Sequence, residues 1–233
     1  MPRGCDVETV YIFKRYEKKY LLTGEQRDTF LSLIGDRLRP DGFGESVLHT
    51  TYLDTPDWLL IRNSIEARSY KEKLRFRSYG APTPDGRVFL EIKKKCRGVV
   101  YKRRISTTHR ELEGYFSGGT LPASQIMREI EYTMERYSRP SPKMEIRCHR
   151  TAFFDRRDPA VRITFDSDLC YRPVGERDFS PVLDKSTVVM EIKTGGAMPL
   201  WLSQTLCDLS LFPQSFSKYG TAYRLLIGKE DLK

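Results

Sequence analysis

The stretch from Lys71 to Ile105 constrains the fold more than any other part of the sequence. Polar and apolar residues alternate through three short runs, KEKLRFRSYG, RVFLEIKKK and VVYKRRI, and turn residues separate these runs. Alternation with a period of two is typical of β-strands that bury one face, and short turns join such strands into an antiparallel meander. The sequence therefore predicts three consecutive antiparallel strands here.

One face of this predicted meander is basic. Successive strand side chains point to opposite faces, so Lys73, Arg75 and Arg77 share a face that excludes Leu74 and Phe76. The same face of the next two strands carries these charged residues: Glu91, Lys93, Lys95, Lys102 and Arg104. A sheet face in contact with water is often charged, which is enough to explain one such strand. Basic residues stacked across several strands repel one another, and this favours an anion among them.

Further strands and helices are predicted on both sides of the meander. Residues 1–10 are expected to form a loose leader. Thr23 and Gln26 resemble a capping box, and apolar residues at helical spacing follow as far as Leu38. Thr55 and Pro56 have the pattern of a second helix start. The other predicted strands are Phe13–Leu22, Ser46–Leu53, Lys143–Phe153, Val161–Asp166 and Thr187–Thr194. The other predicted helices are 107–117, 124–137, a segment that Pro199 opens, and Lys218–Leu226.

Every predicted strand except Ser46–Leu53 repeats the pattern of one charged face and one mostly apolar face. Carboxylates are interspersed among the lysines and arginines of the charged faces: Glu17, Glu91, Asp166 and Glu191. We therefore predict an α+β fold in a single domain over residues 1–233, built as a closed antiparallel eight-stranded β-barrel with a charged interior and helices packed outside. Cations buried this densely require an anion, and a divalent metal on the carboxylates would bridge to it.

The composition also indicates an anionic partner. A net charge of +9 and an isoelectric point near 9.3 suit nucleic acid, a membrane surface or a phosphorylated small molecule. Nucleic acid is disfavoured, because no exposed platform of aromatic and basic residues is predicted. Five scattered cysteines without a CxxC pair indicate reduced thiols in a cytoplasmic protein, and three histidines without ligand spacing argue against a histidine metal centre. No apolar run approaches the roughly 20 residues of a transmembrane helix.

The ordered set of charged strands resembles the triphosphate tunnel metalloenzymes, and within them the catalytic domain of the vacuolar transporter chaperone (VTC), the polyphosphate polymerase branch. The first strand, RYEKKY, resembles the Glu-x-Glu-x-Lys signature at Glu17 and Lys19, with Arg15 in place of the first glutamate. The later motifs follow in the family's order: LRFRSYG, FLEIKKK, VVYKRR, CHRTAF, VRITFD, VVMEIKT and FSKY. The similarity extends from Phe13 to Arg224, and the whole set is far more specific than any one motif.

This resemblance implies a metal-dependent transfer of the γ-phosphate of ATP to a growing polyphosphate chain inside a basic tunnel. It assigns phosphate binding and catalysis to Lys19, Arg75, Arg77, Lys93, Lys102, Arg150, Arg162, Lys193, Ser217 and Lys218. It assigns Mn²⁺ or Mg²⁺ to Glu191, with Glu17 and Glu91 as further candidate ligands. Cys148 stands where this branch usually has a tyrosine, so the phosphate hydrogen bond of that hydroxyl is absent. The implied partners are ATP and polyphosphate, and membrane attachment is left to a separate protein.

Two other functions remain open from the sequence. A hydrolase of the same superfamily would cleave tripolyphosphate or a nucleoside triphosphate, and a non-catalytic module would hold polyphosphate without turnover. Glu17 and Glu91 could each pair with a neighbouring cation instead of a metal. The predicted positive charge exceeds what one triphosphate requires, which favours the polymerase.

Overall fold

A curled antiparallel β-sheet is the framework of the protein. The computed structural model describes residues 16–66, 69–97 and 99–230. The strands are β1 (Tyr16–Thr23), β2 (Leu38–Asp54), β3 (Tyr70–Tyr79), β4 (Arg87–Cys96), β5 (Val99–Thr108), β6 (Ser141–Asp155), β7 (Arg162–Pro173), β8 (Ser180–Pro181) and β9 (Thr187–Thr194). The helices are α1 (Gly24–Ile34), α2 (Leu59–Glu66), α3 (His109–Phe116), α4 (Gln125–Arg136), α5 (Leu200–Asp208) and α6 (Lys218–Glu230). The predicted leader and the start of the predicted strand Phe13–Leu22, including Arg15, lie outside the described residues.

The sheet is an open half-barrel. Its strand order is β1-β9-β7-β6-β2-β3-β4-β5, with β8 paired to β7, and the pairs are antiparallel. Within the described residues no ladder joins β1 to β5, so the closed barrel predicted from the sequence is not observed. Alternation along each strand fixes which face is charged, but it does not require the first and last strands of the sheet to pair.

The charged face of the sheet lies inside the curl. Nζ of Lys93 in β4 is 3.1 Å from Oε2 of Glu17 in β1, although these strands are near opposite ends of the sheet order. This ion pair requires the sheet to bend until its two ends approach, with both side chains inward. We call this inward surface the concave face; its charged residues include Glu17, Lys19, Lys73, Arg75, Arg77, Glu91, Lys93, Lys102, Arg150, Arg162, Asp166, Glu191 and Lys193.

Helices cover the outward face, which is apolar. Tyr20, Ile163 and Met190 of β1, β7 and β9 pack in one cluster with Phe30 of α1 and Leu202 of α5. A second cluster joins β3 and β4 to α3 and α4 through residues that include Leu74, Leu90, Leu112 and Ile130. Burial of these side chains leaves the charged side of each strand to face inward.

Helix α6 covers one end of the concave face. Tyr219 of α6 stacks on Tyr52 of β2, with ring centroids 4.2 Å apart and planes 12° from parallel. The Tyr219 hydroxyl donates a 2.7 Å hydrogen bond to Asp54, and the buried carboxylate of Asp54 also accepts from the amides of Leu60 and Ile61. Asp54 therefore fixes both α2 and α6 relative to β2.

Two local predictions are wrong. The helix expected to continue to Leu38 ends at Ile34, and after one 3₁₀ turn Leu38 begins β2, where its side chain is buried in the core. Pro56 does not open a helix, because α2 begins at Leu59, whose amide donates to the Thr55 hydroxyl at 2.8 Å. The sheet begins at Leu38, where the spacing of apolar residues indicates a helix. Helix α2 begins at Leu59, later than the Thr55-Pro56 pattern indicates.

Other predicted features are confirmed. The amide of Gln26 donates to the Thr23 hydroxyl at 3.1 Å, and the amide of Thr23 donates to the Gln26 side chain at 2.9 Å, which completes the capping box. The three strands of the central meander are β3, β4 and β5. Across the described ranges, no helix combines the length and apolar character needed to cross a membrane.

Candidate anion-binding site on the concave face

Glu91 of β4 is held by cations from both neighbouring strands. Arg75 lies directly opposite it in the β3–β4 ladder, and its Nε and Nη2 atoms are each 2.9 Å from Oε2. Nζ of Lys102 in β5 is 2.5 Å from Oε1. Burial raises the pKa of Glu91, but Arg75 and Lys102 outweigh burial and hold the pKa well below its usual range. Glu91 is therefore an ionised internal partner for these two cations.

Glu17 of β1 and Glu191 of β9 form a carboxylate pair among lysines. Nζ of Lys193 is 2.5 Å from Glu191, and Nζ of Lys93 and of Lys19 are 3.1 and 3.8 Å from Glu17. Burial and the neighbouring Glu191 raise the pKa of Glu17, but the three lysines outweigh them and lower it. Burial also opposes ionisation of Glu191, yet Lys193 and Lys19 hold its pKa well below the usual range. Both carboxylates are thus ionised at neutral pH.

Asp166 of β7 connects the sheet to the start of α6. It is fully buried and accepts hydrogen bonds from Nε and Nη2 of Arg150 at 2.6 and 2.7 Å. Its second oxygen also pairs with Lys218, whose Nζ is 3.2 Å from Sγ of Cys148. Burial raises the pKa of Asp166, but Lys218 and Arg150 outweigh it and lower the pKa far below its usual range. This three-residue network places the Lys218 ammonium on the concave face.

Arg162 is the first residue of β7. One of its Nη atoms lies 2.5 Å from the carboxylate of Asp41 in β2, and its guanidinium is 5.4 Å from the ring centroid of Phe154. Within the part of the chain that the structure describes, Nε of Arg162 is buried without a hydrogen-bond partner. The guanidinium therefore retains donor capacity for a further acceptor.

Two cations of β3, Arg77 and Lys73, have no carboxylate partner among the described residues. Nε of Arg77 donates a 2.9 Å hydrogen bond to the Thr50 hydroxyl, and Nζ of Lys73 donates a 2.7 Å hydrogen bond to the Ser217 hydroxyl. A hydroxyl satisfies one donor of a cation but does not neutralise its charge. The concave face thus has an excess of positive charge at half-buried positions.

This positive field shifts the pKa values of the ionisable groups within it. Burial, Lys19 and Lys93 lower the pKa of Lys73 to about 8. Burial raises the pKa of the Tyr52 phenol, but Arg75, Lys73 and Arg77 outweigh it and bring the pKa to about 7. A site that disfavours a cation and favours a phenolate is suited to anions.

The chain of strands that carries this site matches one known family. A profile of the VTC domain covers residues 14–227, which is most of the chain. The chain belongs to the VTC domain family. The matched range contains every described strand and every residue that the sequence assigned to the site.

Two solved structures share the fold of this VTC domain. A candidate adenylate cyclase from Bacillus halodurans has 12% sequence identity and a TM-score of 0.54, over 88% of this chain and 95% of that chain. A candidate adenylate cyclase from Vibrio parahaemolyticus has 13% identity and a TM-score of 0.51, over 91% of this chain and 98% of that chain. At such identities the likeness shows the fold alone. No curated protein sequence matches the chain.

Two carboxylates of the concave face, Glu17 and Glu191, would suit a divalent cation when phosphate is present. No group of three or more His, Cys, Asp or Glu side chains in the described ranges could hold a metal by itself. Mg²⁺, however, is usually bound by one or two carboxylates together with substrate phosphates and water. Lys93 contacts both oxygens of Glu17, at 3.4 and 3.1 Å, and Lys193 contacts one oxygen of Glu191, at 2.5 Å. These two carboxylates would suit that arrangement better than Glu91, because Arg75 and Lys102 hold both oxygens of Glu91 at 2.9 and 2.5 Å.

All the basic residues assigned from the sequence lie on the concave face or at the start of α6, but the assignment missed several neighbours. Lys73 and Asp166 occur at inward positions of the alternating pattern, so a sequence signal for them existed. Thr50 and Tyr52 belong to the one strand that was predicted to lack a charged face. Asp41 lies next to glycine and proline residues, and no local pattern connects it with Arg162.

Proposed function

We propose that this VTC domain is a metal-dependent phosphotransferase that adds the γ-phosphate of ATP to polyphosphate. The excess of positive charge on the concave face is the observation that supports this most strongly. Arg77 and Lys73 lack carboxylate partners among the described residues, and Arg162 has an unused donor. Phosphate oxygens would neutralise these charges, and the guanidinium fork suits bidentate contacts to phosphate.

The proposed roles follow from the position of each side chain. Phosphates would be bound mainly by Arg77, Arg150, Arg162, Ser217 and Lys218. Further positive charge around them would come from Lys19, Arg75, Lys93, Lys102 and Lys193. In phosphoryl transfer the protein chiefly positions the phosphates and stabilises charge on their oxygens, which a surface of fixed cations can do.

Glu17 and Glu191 are the proposed ligands of Mn²⁺ or Mg²⁺. When bound, the metal would neutralise charge on the phosphates that it contacts. Glu91 remains a weaker candidate, because it would have to release Arg75 or Lys102 first. The contribution of the chain itself is to hold two ionised carboxylates beside the phosphate-binding cations.

The spread of the cations favours a chain over a single triphosphate as the ligand. The unneutralised charges of Lys73 and Arg77 come from β3, Arg162 of β7 has a donor without a partner among the described residues, and Ser217 and Lys218 add donors at the start of α6. A compact triphosphate would contact part of this surface, whereas an extended polyanion would contact all of it. This supports polymer synthesis over hydrolysis of a small substrate.

Incubation with ATP and either Mn²⁺ or Mg²⁺ tests the proposal. We expect phosphate polymers longer than the substrate, resolved by gel electrophoresis, with ADP released in step. Arg77→Ala should lower turnover by about 10²–10³, as for loss of a charge-stabilising donor. Arg103→Ala is the matched control, because Arg103 pairs with Glu129 of α4 away from the concave face.

Other outcomes would select another function. Consumption of ATP with only orthophosphate as product would identify a hydrolase. Binding of tripolyphosphate without consumption of ATP under either metal would identify a binding module. Equal turnover of Arg77→Ala and the unmodified protein would place the reaction elsewhere on the molecule.

A further inference from the structure

Two hydroxyl groups of β2 contact the two arginines of β3. The β2–β3 register places Thr50 directly opposite Arg77 and Tyr52 directly opposite Arg75. The Thr50 hydroxyl accepts from Nε of Arg77 at 2.9 Å, and the Tyr52 hydroxyl accepts from Nη1 of Arg75 at 3.2 Å. Each arginine of the Arg-x-Arg motif therefore has its own hydroxyl partner on the neighbouring strand.

The remaining donors of the two guanidinium groups differ. Arg75 directs Nε and Nη2 to Glu91 and Nη1 to Tyr52, so all three of its nitrogens are engaged. Arg77 uses only Nε, and no carboxylate pairs with it among the described residues. The two Nη atoms form the end of the guanidinium fork that can contact a phosphate with two parallel hydrogen bonds. This end is available on Arg77 and occupied on Arg75.

We propose that Thr50 and Tyr52 are positioning residues that give the two arginines different tasks. Thr50 holds Arg77 by Nε so that its Nη atoms point to the bound anion, and Tyr52 helps Glu91 to keep Arg75 as a fixed internal cation. Arg77 is then the main phosphate contact of the motif. The inference rests on the anion-binding part of the proposed function and not on polymerase turnover.

Both hydroxyls are held rigidly enough for this role. Thr50 is 5% exposed and lies within the ladders that join β2 to β3 and β6. The Tyr52 ring is stacked on Tyr219, and the hydroxyl of Tyr219 is fixed by Asp54. A side chain orients its neighbour only if its own rotamer is fixed, and packing supplies that here.

Calorimetric titration with inorganic tripolyphosphate tests the role of Thr50. Thr50→Val should weaken binding about tenfold, equivalent to about 1.4 kcal/mol, and Thr50→Ser should restore it. In an Arg77→Ala background, Thr50→Val should have no further effect, because Thr50 acts through Arg77. Thr133→Val is the matched control: it removes a buried, hydrogen-bonded threonine hydroxyl from α4 and should leave binding unchanged.

Tyr52→Phe tests the difference between the arginines. It removes the hydroxyl but keeps the stacked ring, and Arg75 keeps both contacts to Glu91, so binding should fall less than twofold. Thr50→Val affinity equal to that of the unmodified protein, or a continued effect of Thr50→Val in the Arg77→Ala background, would overturn the proposal. A larger loss from Tyr52→Phe than from Thr50→Val would also overturn it.

A measurement without any ligand separates this inference from the proposed function. The Arg77 Nε–H signal in ¹⁵N NMR spectra should exchange slowly with solvent in the unmodified protein and at least tenfold faster in Thr50→Val. An equal exchange rate in both proteins would refute the positioning role. Absence of tripolyphosphate binding by the unmodified protein would instead refute the proposed function, and the exchange result would still decide the role of Thr50.

Discussion

Replacement of Asp166 by asparagine should destabilise this protein more than removal of any exposed carboxylate. Asp166→Asn keeps the shape of the side chain but removes the charge that Arg150 and Lys218 share. Because Asp166 is fully buried, both cations would be left without compensation in a region of low dielectric constant. Breaking a buried ion pair by removing one partner costs about 3–5 kcal/mol. For a chain of this length, that corresponds to a fall in Tm of about 6–20 °C.

Urea unfolding of the two proteins at several pH values measures this cost. The pKa of Asp166 is lowered by folding, so its contribution is fully present above its unfolded pKa, near 3.9. The difference in unfolding free energy should therefore be the same at pH 7 and pH 5. It should shrink only as the pH falls below about 4 towards the lower folded pKa, where Asp166 binds a proton.

A matched surface variant makes the result decisive. Asp85→Asn also removes a carboxylate that pairs with an arginine, Arg110, but both side chains are largely exposed, and no measurable change is expected. Asp166→Asn should also recover part of its loss when tripolyphosphate is added, since an anion would compensate Arg150 and Lys218. A loss below about 1 kcal/mol for Asp166→Asn at pH 7 would show that its charge does not hold these cations in place.

Three further variants examine single interactions of the concave face. Lys73→Met should increase the unfolding free energy at pH 7, where the half-buried ammonium is unfavourable. Urea unfolding should show this gain shrinking above about pH 8, because Lys73 in the unmodified protein loses its proton before the unfolded chain does. Asp41→Asn should tighten tripolyphosphate binding in calorimetry, because no carboxylate then competes for Arg162, and weaker binding would mean that Asp41 instead holds Arg162 in its binding position. Glu191→Gln should keep tripolyphosphate binding but weaken Mn²⁺ binding to the complex; unchanged Mn²⁺ affinity would exclude Glu191 as a ligand.

Much of the concave face could be predicted because strand alternation is a local property. Once Lys73, Arg75 and Arg77 are in one strand, they must share a face, whatever the rest of the chain does. The apolar residues between them then require covering helices, and the amphipathic helices supply the cover. The predicted charged surface and its outer helices follow from these two rules.

The partner of each cation could not be predicted, because it depends on register between strands that are distant in sequence. Asp41 and Arg162 are separated by 121 positions, and no pattern around either one indicates the other. The same holds for Glu17 and Lys93, which meet only because the sheet curls. Pairing decides which charges remain for a ligand, so the division between Arg75 and Arg77 required the fold.

Local sequence patterns also could not predict whether the barrel closes. Alternation indicates how each strand divides its side chains but not whether the first and last strands of a sheet pair. Leu38 is a second example, since apolar spacing places it on a helix while burial in the sheet core makes it the first residue of β2. At Leu38, packing in the sheet core outweighs the local preference for a helix.

The seam between the two ends of the sheet is bridged by side chains, and this affects how a long ligand can enter. The Glu17–Lys93 ion pair spans the seam, and 28% of the Lys93 side chain is exposed to solvent. Breaking a backbone ladder requires strands to separate, whereas breaking this pair requires only rotation of two side chains. A closed tunnel accepts a polymer only by threading one of its ends. A groove that is bridged only by a side-chain ion pair can also bind the middle of a chain, or a ring that has no free end.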